Sequence, residues 1–164
     1  MTQLDLAADI LSRNLHFLTG TLSDFSDAEI YIRPAPGANH AAWQIGHLIN
    51  AETGMVKSFA PNAVAALPDG FDKKFNKETC GKDDPKLFGS KSELLDQFAK
   101  TRAATIAWVK TLKPADLAQP SNESLARFAP TLGHVVVGLL PVHVAMHVGQ
   151  MQVIRRKLGK PIIF

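Results

Sequence analysis

Pro141-Val-His143-Val-Ala-Met-His147-Val-Gly-Gln150 is the stretch on which the reading of the fold turns. An α-helix advances about 100° per residue, so His143 and His147 stand one turn apart on one face, with Gln150 a further turn along and nearly in line. Two imidazoles in that relation can grip one metal ion. The HxxxH pattern needs only two residues and a helix, and it also serves histidines with separate packing roles. The neighbours favour the shared role. Val142, Val144, Met146 and Val148 surround the pair, and a polar ring among apolar side chains must find a partner or bear the cost of desolvation.

Working outward, residues 131–158 read as one long buried helix, stopped by Gly159 and Pro161. Pro141 lies inside it, so a kink is expected about one turn before the histidine pair, because the proline ring clashes with the carbonyl four residues back. His134 falls on the opposite side of this helix and is not expected to ligate. Leu4, Ala8, Leu11, Leu15, Leu18 and Leu22 recur at threes and fours, predicting an amphipathic helix over residues 4–22 with His16 off its apolar stripe. Asn39 is the expected N-cap of a second helix over residues 40–59. Ser90 and Glu93 form a capping-box pattern that starts a third helix, which Lys113-Pro114 ends.

The stretches between these helices are rich in turn formers. Residues 60–90, with Pro61, Pro68, Gly70, Pro85 and Gly89, are expected to hold a short helix or a loop folded over the bundle end as a lid. Four helices without a strand pattern predict an all-α fold, a four-helix bundle in one domain spanning residues 1–164, and bundle interiors are where facing side chains assemble sites.

Composition narrows the function. With 46% hydrophobic and 20% charged residues the chain reads as an ordinary globular domain. No apolar run is both long and uninterrupted enough to promise a membrane span. Met1-Thr-Gln-Leu-Asp lacks a basic stretch followed by an apolar one, so no export signal is expected. The lone Cys80 cannot form an internal disulfide, which fits a cytoplasmic location, and no residue nearby marks it as a nucleophile. A net charge of +3 and a pI near 9.1 invite a nucleic-acid reading. The positive residues are spread along the chain, however. The densest group, Arg155, Arg156, Lys157 and Lys160, ends the last helix without interleaved aromatics and reads as solvated charge complementing the helix dipole. A small molecule is the expected partner, rather than nucleic acid or membrane.

In the second helix Trp43, His47 and Gly54 share a face, and His40, two turns before His47, lies close enough to that face to line the mouth of a site. By itself His47 reads equally well as a core histidine bonded to a carbonyl.

Two segments carry a family resemblance: Arg33-Pro-Ala-Pro-Gly-Ala-Asn-His-Ala-Ala-Trp43-Gln-Ile-Gly-His47, and His143-Val-Ala-Met-His147-Val-Gly-Gln150 followed by Arg155-Arg156. Together, in this order, they resemble the DinB/YfiT-like family of helical-bundle metalloenzymes over nearly the whole chain. The resemblance implies a bundle of the DinB/YfiT type and a metal triad at His47, His143 and His147. Many members have a basic residue directly after the last histidine, where this chain has Val148; the departure leaves the ligands and removes a surface or substrate contact. Some relatives look like transferases or isomerases that use a low-molecular-weight thiol such as bacillithiol or mycothiol. The family name implies no role in DNA repair.

Three neutral imidazoles leave coordination positions open, as a catalytic metal site requires. A divalent ion there can lower the pKa of bound water toward about 7 or deprotonate a thiol. Zinc is the first expectation, with nickel and iron as alternatives, because imidazoles alone discriminate weakly among them. Trp43 and Gln150 are expected to line the pocket, and Glu52 and Gln150 are candidates to support the ligands from behind. With no second carboxylate placed as a general base, the expected function is a metal-dependent transferase or hydrolase whose ion activates a thiol or water. The alternatives are a non-catalytic metal-binding or small-molecule-sensing bundle and a purely structural protein. Homodimerisation through helix faces suits such bundles.

Overall fold

The first amphipathic repeat forms helix α1 (Gln3–Thr21) in the computed structural model, which describes residues 1–163. Thr2 caps it in a reciprocal box with Asp5, and Leu4, Ala7, Ala8, Leu11 and Leu18 turn inward. Helix α2 (Ala41–Lys57) is capped by His40 rather than Asn39: the His40 Nδ1 accepts the Trp43 N–H at 3.1 Å, while Asn39 offers its carbonyl to the Gln44 side chain. An imidazole thus does the work expected of a side-chain oxygen. Helix α3 (Lys91–Val109) starts at the Ser90–Glu93 box as its sequence predicts. Helix α4 (Leu140–Lys157) follows a π-helical segment, His134–Leu139, with Pro141 in its first turn. The chain therefore leaves α geometry about one turn before His143. A proline has no N–H to give, and widening the preceding turns accommodates its ring. Gly159, at φ +65°, closes the helix.

No strand occurs among the described residues; one isolated bridge, Pro120 to Thr131, ties the ends of the connection before α4. α1 packs on α3 and α4, and α2 packs on the same two, so the first two helices of the chain stand diagonally opposite each other. Diagonal neighbours need long connections, and 19 residues separate α1 from α2; a longer connection still, of 33 residues, joins α2 to its packing neighbour α3. That connection is no free lid. It forms short helical turns at Phe71–Lys74 and Pro85–Phe88 and buries Phe71, Phe75 and Phe88 in a ring-to-ring cluster. Phe75 lies so tightly on α2 that a Cβ at Gly46 would stand 2.1 Å from its ring.

The interior is divided. One apolar cluster gathers Leu18, Leu22, Ile45, Leu48, Ile49, Phe98, Val144 and Met151; a second gathers Leu4, Leu11, Met55, Val56, Trp108, Val109 and Leu140. Between them, on three helices, fall buried polar residues: Asn14 on α1, Glu52 on α2, and Thr101, Arg102 and Thr105 on α3. Arg102 Nη2 lies 2.7 Å from Glu52 Oε2 with both side chains out of solvent. Glu52 is therefore committed to this pair and not to the histidines.

Within the basic group at the end of α4, Arg156 and Lys157 are exposed as expected and Arg155 departs from the solvated role. Arg155 is buried, paired with Asp24 and donating to the Thr21 carbonyl at 2.8 Å and the Pro161 carbonyl at 2.7 Å. Its charge faces the C-terminal carbonyls of α1 as well as ending its own helix. The span His134–Lys157, with mean hydropathy 1.3 over its best window, is long and apolar enough by length and composition to cross a membrane. In the bundle its inner face carries Leu140, Val144, His147, Met151, Ile154 and Arg155 into the core.

Candidate metal centre

His47 projects from α2 and His143 and His147 from successive turns of α4, and one ligand atom from each lies within 4.8 Å of the other two. The Nε2 atoms of His47 and His143 are 3.2 Å apart. Zinc–imidazole bonds of roughly 2.0–2.1 Å in a tetrahedron place ligand nitrogens about 3.3 Å apart, so this pair already has the spacing of ligands on one ion. The ring centroids of the three pairs are 5.1, 5.3 and 4.9 Å apart.

Burial and proximity keep these rings uncharged. Burial lowers the pKa of all three; it carries His143 down to about 4 and His147 to about 3, with repulsion from the neighbouring rings adding to both. No carboxylate acts against the shift. Neutral imidazoles offer lone pairs, and three of them converging on one point fit a divalent cation.

The surroundings hold each ring. Trp43 stacks flat on His47, ring centroids 4.9 Å apart and planes 6° from parallel. The indole is anchored in turn, its Nε1–H donating to Thr79 Oγ1 at 3.2 Å, so the 58–90 connection braces the site. His147 Nδ1 lies 2.9 Å from the side-chain oxygen of Gln44, which is fully buried.

Among the residues singled out from the sequence, the structure brings together His47, His143, His147 and Trp43. Gln150 is exposed. His40 is wholly buried, its Nε2 donating to the Lys82 carbonyl at 2.9 Å and its Nδ1 occupied by the α2 cap, so both ring nitrogens are used away from the triad. His134 pairs with Thr131 at 2.8 Å, apart from the site. Half-buried Cys80 donates to the Lys77 carbonyl. Gln44 escaped the sequence reading. Its one signal was a lone amide within the apolar run Ala41-Ala42-Trp43-Gln44-Ile45.

A helical bundle whose second and fourth helices bring three neutral imidazoles together has the kind of site that facing side chains assemble in bundles. The chain belongs to the DinB superfamily, whose family model matches residues 10–151. Among solved structures it is similar to a conserved protein from Enterococcus faecalis, at 19% identity over 98% of this chain and 99% of that one, with a TM-score of 0.68. It is similar also to YfiT from Bacillus subtilis, described as a probable metal-dependent hydrolase with an unusual four-helix bundle topology. That match has 15% identity over 98% of this chain and 91% of that one, with a TM-score of 0.68. Identities this low speak for the shared fold. No curated protein matches the sequence.

Proposed function

We propose that this protein is a metal-dependent enzyme acting on a small molecule, with His47, His143 and His147 holding a divalent ion. Zinc is the first choice and nickel or iron the competitors. The observation that carries the reading is the convergence of three neutral ring nitrogens from two helices, two of them 3.2 Å apart. A description of YfiT as a probable metal-dependent hydrolase supports the same class of chemistry.

An ion held there supplies Lewis acidity, lowering the pKa of bound water toward about 7 or deprotonating a thiol, so hydrolysis and thiol transfer are the reactions proposed. The chain's own residues do the rest. Three uncharged ligands leave the cation's full charge in place, which favours an anionic fourth partner such as hydroxide, thiolate or carboxylate. The indole of Trp43 covers one face of His47 and excludes water from that side. A low-molecular-weight thiol is the proposed co-substrate for the transfer reaction.

The test is turnover by zinc-, nickel- and iron-loaded protein against a panel of esters, amides and thiol-addition substrates, beside a His147→Ala variant. Turnover in the wild type that the variant loses supports the enzyme. Stoichiometric metal without turnover above the variant on any substrate would overturn it in favour of a metal-binding or sensing bundle.

A further inference from the structure

The amide of Gln44 has a defined orientation. Its Nε2 donates to the Asn39 carbonyl at 2.7 Å, and a carbonyl oxygen can only accept. Reversing the amide would set two acceptor oxygens against each other, so Oε1 must be the atom that faces His147. At 2.9 Å from Oε1, His147 Nδ1 must then carry the proton. This leaves the Nε2 of His147 as a bare lone pair.

We propose that Gln44 is a positioning residue that selects the tautomer of His147, with the Asn39 backbone carbonyl, one residue before the α2 cap, setting the direction of the relay. The inference rests on the metal reading for its purpose but not for its geometry. Three features support it. Gln44 is wholly buried, so no solvent competes for its amide. It sits on the same helix as His47, one turn earlier, so a single helix both presents one ring and orients another. His40, which caps α2, is fixed in the opposite tautomer: its Nδ1 accepts from the Trp43 N–H and its Nε2 donates to the Lys82 carbonyl. The two buried histidines are thus sorted by their partners, one with its Nε2 proton committed to a carbonyl and one with its Nε2 free to bind. A ligating imidazole whose other nitrogen donates to a fixed acceptor is both oriented and made more basic.

The experiment compares wild type, Gln44→Met, which keeps the volume but has no comparable acceptor, and Gln44→Glu. A glutamate keeps an oxygen that accepts from His147 in either protonation state. Long-range proton–nitrogen spectra of the metal-free proteins near pH 7.5 read the His147 tautomer directly, and zinc titrations read affinity. The expected result is a proton on Nδ1 in wild type and Gln44→Glu, a mixture with Nε2–H in Gln44→Met, and roughly 10- to 100-fold weaker zinc binding in Gln44→Met alone. Thermal melting of all three confirms the fold. An Nε2–H tautomer in the wild type, or an unchanged tautomer in Gln44→Met, overturns the proposal. If the wild type binds no zinc, the functional reading fails while the tautomer spectra still decide this inference.

Discussion

The three histidines, two half-buried and one buried, and the fully buried Glu52–Arg102 pair are both polar groups drawn away from water within one bundle, yet they solve the problem in opposite ways. Arg102 and Glu52 meet at 2.7 Å, and each charge has its opposite beside it. Burial raises the pKa of Glu52 and lowers that of Arg102, and each partner opposes the shift of the other. The histidines have no such complement. They surrender charge and bring one ring nitrogen each to within 4.8 Å of the other two. Opposite charges brought together neutralise each other and fix how helices pack; uncharged ring nitrogens gathered together suit a cation.

This contrast can be broken by substitution, and the largest effect on folding is expected at the pair. Arg102→Met leaves Glu52 buried without a counter-charge and should cost about 3–5 kcal/mol, lowering Tm by roughly 10 °C for a chain of this length. The double change Arg102→Met with Glu52→Leu should recover most of that loss, and both variants should keep full metal binding. Loss of metal from a folded Arg102→Met protein would show that the two regions are one.

Gly46→Ala comes next. The added Cβ would stand 2.1 Å from Phe75, whose ring is locked among Phe71 and Phe88 and cannot swing aside. A cost of about 1–3 kcal/mol is expected in chemical denaturation. An unchanged midpoint would mean that the 58–90 connection is not seated on α2.

Acid should loosen the metal-free protein through the histidines. Their folded pKa values lie below the ordinary 6.5, so the unfolded chain takes up protons that the folded one refuses. Their contribution to stability is therefore fully present above pH 6.5 and drains away as the pH falls toward about 4 and 3. Tm measured from pH 7 to 4 should fall less steeply in His143→Ala than in wild type, and parallel curves would contradict the assignment. The smallest effect is expected at exposed Gln150: Gln150→Ala should change zinc affinity less than about two-fold, and a larger loss in titration calorimetry would bring this residue into the site.

The bundle was legible because each helix carries its own periodicity with start or stop signals, as at Ser90–Glu93 and Gly159 respectively. The HxxxH pair was legible for the same reason, since its geometry lies within one helix. His47 was not, because its triad partner His143 lies 96 residues away and nothing local distinguishes a ligand from a core histidine; it came from the family resemblance. Gln44 and Arg155 were illegible because their roles are set by partners in other segments, the Asn39 carbonyl with His147, and Asp24 with the Thr21 carbonyl. The cap at His40 was missed by one residue, since Asn is the commoner cap and only the placement of the Lys82 carbonyl fixes the imidazole there.

The most direct test is the metal content of protein purified without a histidine tag and exposed to equimolar zinc, wild type beside His47→Ala. One tightly held ion per wild-type chain, with affinity at least about a hundred-fold weaker in a variant that remains folded, is the predicted outcome. No stoichiometric metal in the wild type, or equal binding by the two, would contradict the claim that α2 and α4 together build one cation site.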